Sequence, residues 1–189
     1  MAQTLQRREA VSRILALRPD ALVVTGLGSP TYDVHAAGDR DGNYYLWGAM
    51  GGAALVGLGL AQAQPDRQVV VITGDGEQLM AMGALATIGV AKPGNLELFV
   101  LDNEHYAETG MQGSHTGQGV DLALVAGGCG FGSAVQVGDM AGLEGAIGTN
   151  EAGPKLVVLK IAQDTPPRSL PSRDAVYIKN RFRAHLGLV

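Results

Sequence analysis

Apolar residues occur along the chain as short continuous runs that alternate with longer stretches of helical spacing or composition. The continuous runs predict strands, most of them buried on both faces, at 21–25, 44–46, 68–73, 96–101, 134–137 and 155–161. The other stretches predict helices at 4–17, 48–64, 78–90, 121–127 and 140–147. Strands that alternate with helices predict an α/β fold, in which three layers (α/β/α) surround a mainly parallel sheet.

Composition favours a single domain that associates with another chain. The 189 residues contain no internal repeat or low-complexity linker, so one domain is predicted over residues 1–189, with a C-terminal tail at 165–189. Hydrophobic residues make up 46% of the chain, which excludes disorder. Charged residues make up only 17%, against roughly 25% in an average soluble protein. This low charge predicts that another chain covers part of the surface.

The distribution of charge excludes some classes of partner. Residues 1–20 carry a net charge of +2 and residues 165–189 carry +4, although the whole chain has −4. Basic ends on an acidic body do not form the continuous positive footprint of a nucleic-acid binder. They are typical of solvated terminal helices, with contacts to an anionic ligand or a partner chain as alternatives.

Features that direct a chain to membranes or to oxidising compartments are not found in the sequence. The N-terminus is polar and basic, unlike a signal peptide, and no apolar stretch is long enough for a membrane span. The single cysteine, Cys129, fits a reducing compartment. We therefore expect a cytoplasmic protein that binds neither membranes nor nucleic acids.

Two strand ends carry oxygen ligands. Asp75 stands in a Gly-Asp-Gly turn directly after a buried strand, and Asn103 follows the next strand, 28 residues later. Consecutive strands joined by a right-handed crossover can be neighbours, so these side chains can converge. A carboxylate and an amide oxygen suit Mg²⁺, and the N–H groups of the helix after Asp75 suit an anion. Each turn alone is ordinary, but together they predict a site for a diphosphate and Mg²⁺.

These motifs resemble a known family. The segments ITGDG, GALATIG and FVLDNEHY are similar to the thiamine diphosphate-binding motif of thiamine-dependent enzymes, and YYLWGAMGGAALVGLGLAQAQPDRQVVVITGDG is similar to the pyrophosphate-binding domain of 2-oxo-acid decarboxylases. The resemblance covers about residues 21–161. In layout the chain resembles the beta subunits of sulfopyruvate decarboxylase and the equivalent part of phosphonopyruvate decarboxylase, through DNEHYAETGMQGSHT and the tail PPRSLPSRDAVYIKNRF.

The resemblance implies a metal and a diphosphate site. Mg²⁺ would be held by the side chains of Asp75 and Asn103 and by the main-chain carbonyl of His105. Thr25 and Gly26 would contact the diphosphate of thiamine diphosphate, helped by backbone groups of Gly76, Glu77 and Tyr106. Gly74 would be a further cofactor-binding residue. Glu77 would place a negative charge next to this diphosphate. Its side chain should therefore point away from the diphosphate or face the waters of the metal.

The resemblance also implies contacts at the other end of the cofactor, and a missing half. The carbonyl of Gly48 would accept a hydrogen bond from the aminopyrimidine, and Met50 would hold the two rings in a bent conformation. The glutamate that activates the pyrimidine belongs, in this family, to a preceding domain for which the residues before Ala21 are too few. We therefore expect a hetero-oligomer in which a second subunit with the pyrimidine-binding domain supplies that glutamate.

The implied reaction is decarboxylation of a small anionic 2-oxo acid, resembling sulfopyruvate or phosphonopyruvate, to carbon dioxide and an aldehyde. Two alternatives stay open: a carboligase or acyl-transfer subunit similar to acetolactate synthase, and a non-catalytic module that binds the cofactor. His115, on a Gly-rich loop, is a candidate proton donor or anion contact, or else an exposed histidine. His35 is predicted in a loop after the first phosphate-facing turn, where it could also face the substrate. The segment Gly26–Pro30 is not taken as a dinucleotide fingerprint, because a glycine is missing and Pro30 should block a helix start.

Overall fold

Six parallel strands form the centre of the computed structural model, which describes residues 5–188. In chain order the strands are β1 (Leu22–Thr25), β2 (Asn43–Tyr45), β3 (Val69–Gly74), β4 (Leu96–Asp102), β5 (His105–Tyr106), β6 (Gln112–Gly113), β7 (Ser133–Val137) and β8 (Lys155–Lys160). The parallel sheet has the order β2-β1-β3-β4-β8-β7, and β5 pairs with β6 in an antiparallel ribbon. The predicted parallel α/β fold is confirmed.

Helices cover both faces of this sheet. They are α1 (Arg7–Leu17), α2 (Ser29–Ala36), α3 (Ala53–Ala63), α4 (Asp75–Met80), α5 (Gly83–Ala91), α6 (Leu122–Gly128), α7 (Met140–Gly148) and α8 (Ala175–His185). Along β3, Val69 and Val71 belong to a core with α3, α5 and α6, whereas Val70 and Ile72 belong to a core with α1, α2 and α7. Because both faces are buried, residues 69–72 of the strand are all apolar, which explains the continuous run in the sequence.

Helix α2 departs from the sequence-based expectation. The expectation that Pro30 blocks a helix start is wrong, because Pro30 occupies the first turn of α2, where its missing N–H has no intrahelical partner to lose. His35 therefore lies in a helix and not in a loop. Residue 4 of the predicted first helix and residue 189 of the predicted tail lie outside the described residues.

Two predicted helices have different bounds in the structure. The segment predicted as one helix at 78–90 forms α4 and α5, which are separated at Ala81 and Met82. The helix predicted at 48–64 begins only at Ala53. The residues before it form a loop in which Gly48 and Gly51 have φ angles of 72° and 88°, in the left-handed region that favours glycine. Both differences lie at the carboxyl-end side of the sheet, where the candidate site is found.

The basic tail crosses α2 and ends in α8 beside the edge strand β2. Ser169 Oγ lies 2.7 Å from His35 Nδ1, so the tail and α2 are joined. In α8, Arg181 Nη1 donates to Asp39 Oδ2 at 2.6 Å. Two basic residues of the tail, Arg168 and Arg181, thus pair with acidic residues in the body of the same chain. None of the helices within residues 5–188 combines the length and the apolar character needed to cross a bilayer.

Candidate functional site

A cavity lies at the carboxyl ends of β1, β3 and β4. After β1 the chain adds β2 on one side and β3 on the other, so the strand order reverses at this point, which is where ligands bind in parallel sheets. The cavity has a volume of about 160 Å³. The predicted site residues that line it are Met50, Gly74, Asp75, Gly76, Glu77, Asn103, His105 and Tyr106. Those outside its lining are Thr25, Gly26, Gly48 and His115.

Asp75 is a buried carboxylate directly after β3. Its Oδ2 accepts a hydrogen bond from Ser114 Oγ at 2.5 Å. Burial raises the pKa of Asp75 above its ordinary value; the Ser114 hydrogen bond opposes this effect, and the charge of Asp102 adds to it. Within residues 5–188 no Lys, Arg or His forms an ion pair with Asp75. A buried carboxylate with no cationic partner is an environment that favours a bound cation.

A chain of polar side chains joins Asp75 to Lys160 at the end of β8. Beyond Ser114, the Thr116 hydroxyl lies 2.8 Å from the Ser114 hydroxyl and donates to Asp102 Oδ1 at 2.7 Å. Lys160 Nζ donates to Asp102 Oδ2 at 2.8 Å. Lys160 therefore balances the buried charge of Asp102. Neither Ser114 nor Lys160 was expected at the site. For Lys160 the reason is that no spacing in the chain shows that β8 lies beside β4.

The turn after β4 contributes oxygen atoms to the same cavity. Asn103 Oδ1 accepts the N–H of His105 at 3.0 Å, and Glu104 between them has a φ of 62°. Within the described residues no group of three or more His, Cys, Asp and Glu side chains could hold a metal. The predicted ligand set contains only one such side chain, Asp75, because the others are an amide and a main-chain carbonyl. Oxygen donors of this kind suit a hard cation.

The carboxylate of Glu77 binds the backbone of two different loops. Its Oε2 accepts the N–H of Leu27 at 2.8 Å, and its Oε1 accepts the N–H of Gly51 at 3.1 Å. Burial raises the pKa of Glu77 above its ordinary value, and these amide hydrogen bonds offset part of the rise. The structure thus places the Glu77 charge against protein amides.

The predicted diphosphate contacts after β1 are packed inside the protein. Thr25 Oγ1 lies 2.6 Å from Thr31 Oγ1, and both side chains are buried. A Cβ on Gly26 would collide with Glu77 Oε2, so glycine at this position makes room for that carboxylate. Leu27, the next residue, lines the cavity instead.

A second depression, with a volume of about 470 Å³, adjoins the cavity. It shares Met50, Gly76 and Tyr106 with the cavity, and its other lining residues are Leu79, Met80, Met82, His115 and Val120. The Tyr106 hydroxyl lies 3.4 Å from His115 Nδ1, which places the exposed His115 ring beside the cavity and not inside it. Gly48 is exposed on the loop that carries Met50.

Comparison with protein families identifies a thiamine-related domain. Residues 31–161 match the family described as thiamine pyrophosphate enzyme, C-terminal TPP binding domain. Among solved structures, the chain is similar to the thiamine diphosphate-dependent 4-hydroxybenzoylformate decarboxylase of Rhodococcus jostii RHA1, with a TM-score of 0.71 and 20% identity over 87% of this chain and 34% of that one. This likeness supports the fold.

Two curated relatives are more similar in sequence. The sulfopyruvate decarboxylase subunit beta of Methanothermobacter thermautotrophicus is 36% identical over 178 residues, which cover 94% of each chain. The phosphonopyruvate decarboxylase of Streptomyces viridochromogenes is 41% identical over 186 residues, which are 94% of this chain and 45% of that protein. The chain therefore spans less than half the length of the phosphonopyruvate decarboxylases that it matches.

Proposed function

Because the chain belongs to the thiamine pyrophosphate enzyme family, as its C-terminal cofactor-binding domain, we propose that it is the cofactor-binding subunit of a two-subunit decarboxylase. The proposed substrate is a small anionic 2-oxo acid of the sulfopyruvate or phosphonopyruvate type, from which carbon dioxide and an aldehyde are released. The names of the relatives support this choice over a carboligase. The observation that carries the proposal is the buried Asp75, which has no cationic partner among residues 5–188 and lines the same cavity as Asn103.

The proposed metal is Mg²⁺, held by Asp75, Asn103 and the carbonyl of His105. All three residues line one cavity, and the donor set consists of hard oxygen atoms. The hydrogen bond from Ser114 fixes Asp75 Oδ2, and the N–H of His105 fixes the amide oxygen of Asn103. The residues of this chain thus fit a cation that neutralises Asp75 and, through it, the diphosphate of the cofactor.

Bound thiamine diphosphate supplies an electron sink that accepts the electron pair released when carbon dioxide leaves. The residues of the chain bind the cofactor and exclude water. The cavity wall contains the apolar side chains of Leu27, Met50 and Leu101, which favours loss of a charged carboxylate. We propose that Met50, which lines both the cavity and the depression, supports the bent cofactor, and that His115 donates a proton or contacts the substrate anion from the depression.

A second subunit is proposed to complete the site. Three methionine side chains that line the depression are exposed: Met50 by 42%, Met80 by 68% and Met82 by 39%. A cluster of exposed apolar side chains is typical of a protein interface. The proposed partner covers it with a pyrimidine-binding domain that carries the activating glutamate.

The metal assignment is tested with Asp75→Ala. Calorimetric titration of thiamine diphosphate in the presence and absence of Mg²⁺ measures the affinity directly. We expect the variant to lose Mg²⁺-dependent binding while circular dichroism shows a folded chain. Asp66→Ala removes an exposed carboxylate from the turn before β3 and serves as the matched control. Unchanged affinity in Asp75→Ala would refute the site.

The two-subunit assignment is tested by reconstitution. We expect negligible release of carbon dioxide from sulfopyruvate or phosphonopyruvate by this chain alone, and recovery of activity when the partner subunit is added. Product analysis then separates an aldehyde from a hydroxyketone, which a carboligase would form. Met80→Glu, in the proposed interface, should weaken assembly with the partner. Val176→Glu changes an exposed apolar residue elsewhere, in α8, and should not weaken it. Full turnover by the single chain would overturn the proposal.

A further inference from the structure

We propose that Glu77 is a positioning residue that fixes the distance between two loops of the cofactor site, the β1 loop (residues 26–28) and the α3 loop (residues 46–52). For its functional meaning this inference rests on the proposed function, because the two loops matter only if they hold the cofactor. Its structural part concerns the Glu77 bridge, defined as the carboxylate of Glu77 with the N–H groups of Leu27 and Gly51.

The geometry of the bridge requires a carboxylate. One oxygen binds the β1 loop at 2.8 Å and the other binds the α3 loop at 3.1 Å. An ionised carboxylate accepts hydrogen bonds at both oxygens, whereas a glutamine side chain has one accepting oxygen and presents N–H donors at the other end. The carboxylate is buried, so water cannot replace a lost acceptor without rearrangement.

The surrounding backbone is shaped around this carboxylate. A Cβ on Gly26 would collide with Glu77 Oε2, so only glycine lets the β1 loop approach. Gly51 donates its N–H at a φ of 88°, a conformation that other residues rarely adopt. A Cβ there would also lie 3.2 Å from Ala81 Cβ, at the break between α4 and α5. Two glycines and one buried acid thus form a single unit.

The bridge joins residues that would contact opposite parts of the cofactor. The β1 loop begins with Gly26, a predicted diphosphate contact, and the α3 loop contains Gly48 and Met50, the predicted contacts of the rings. Glu77 itself follows Asp75 by two residues, so the metal turn, the β1 loop and the α3 loop are held in one arrangement. Holding such groups before binding reduces the ordering that binding requires.

The structural part is tested without cofactor by residue-resolved amide hydrogen exchange in Glu77→Gln. We expect exchange at Leu27 or Gly51 to rise at least about tenfold, while amides within β3 and β4 keep their protection. Glu97→Gln is the matched control, because Glu97 is equally buried, at 5% exposure, but lies at the amino end of β4. It should leave both loop amides unchanged. Equal exchange at both amides in Glu77→Gln and wild type would overturn the inference.

The functional part is tested by titrating thiamine diphosphate with Mg²⁺ into the same variants. Glu77→Gln should bind about tenfold more weakly, as expected when a group that orients ligands is removed. If Glu77→Gln does not fold, Gly26→Ala displaces the carboxylate instead and should give the same two effects. Loss of binding in Asp75→Ala with normal binding in Glu77→Gln would refute this inference alone. Normal binding in Asp75→Ala would refute the proposed function.

Discussion

The central strands bury carboxylates near both of their ends, and the two ends neutralise these charges differently. At the amino end of β4, Glu97 accepts hydrogen bonds from Arg18 through both oxygens at 2.8 Å and pairs with Lys155 at 3.1 Å. At the carboxyl end, Asp75 and Glu77 are buried to the same degree, with 2% and 5% exposure. There the donors are hydroxyl and amide groups.

The difference in compensation indicates that the carboxylate at the amino end serves stability and that those at the carboxyl end serve binding. Two cations compensate Glu97, so its burial needs no external partner. Burial raises the pKa of both Asp75 and Glu77, which means that the fold holds these charges at a free-energy cost. A cost that the scaffold leaves uncompensated is typical of a site that binds something. Asp102 is intermediate, because it lies at the carboxyl end but pairs with Lys160.

The largest effect on stability is expected at the amino end. Glu97→Ala leaves Arg18 and Lys155 without their buried counterion, which should lower the free energy of unfolding by about 3 kcal/mol. Urea denaturation followed by the fluorescence of Trp47, the single tryptophan, measures this loss. Cofactor affinity of the folded protein should not change. A loss in the free energy of unfolding below about 1 kcal/mol would show that the cations do not stabilise the buried Glu97, so that the two ends of the sheet would not differ.

A smaller effect, on metal-dependent affinity, is expected at Asp102, which lies at the carboxyl end but has a cationic partner. Asp102→Asn removes the charge that Lys160 balances and weakens the chain through Thr116 and Ser114 to Asp75. We expect Mg²⁺-dependent affinity to fall about tenfold, measured by calorimetric titration. Adding Lys160→Met should recover the free energy of unfolding that Asp102→Asn loses, because Lys160 is then no longer a cation without its buried counterion. Unchanged affinity in Asp102→Asn would mean that the polar chain does not orient Asp75.

Much of the fold could be predicted because both faces of the sheet are covered. Residues 69–72 of β3 are apolar at every position, and this pattern has few other interpretations. The pairing of β3 with β4 then brings the turn of Asp75 near that of Asn103. The break at Ala81 and Met82 was not predictable, because both are helix-forming residues and the glycine beside them, Gly83, begins α5 instead of ending a helix.

Other features of the site leave no trace in the order of residues. Lys160 reaches Asp102 because β8 pairs with β4 in register, although β7 precedes β8 in the chain. The two loop partners of Glu77, Leu27 and Gly51, contribute backbone amides, which every residue except proline has, so no residue type marks them. The predicted contacts Thr25 and Gly26 follow the family motif, whereas in the structure one bonds to Thr31 and the other packs against Glu77.

A gain in stability of modest size is expected from Asp75→Asn in the cofactor-free protein. The folded pKa of Asp75 is raised, so the native state binds its proton more tightly than the unfolded state does. The free-energy cost of burying the ionised Asp75 is absent below the pKa of the unfolded state. It grows as the pH rises and is complete once the pH exceeds the pKa of the folded state. The melting temperature at pH 7 should therefore rise by about 2–4 °C, and the difference should vanish near pH 4. Equal melting temperatures at pH 7 would contradict the comparison.

The smallest effect is expected at an exposed ion pair on the rim of the same cavity. Arg168 Nη2 contacts Glu108 Oε2 at 3.0 Å, and the two side chains are 61% and 38% exposed. The proposed difference between the two ends of the sheet concerns buried charges and not exposed ones. Removing this exposed cation should therefore have little effect on stability. Arg168→Met should change the free energy of unfolding by less than about 0.5 kcal/mol, and less still at high salt. A larger loss in urea denaturation would show that the rim cation compensates the buried carboxylates, so that the two ends of the sheet use the same means.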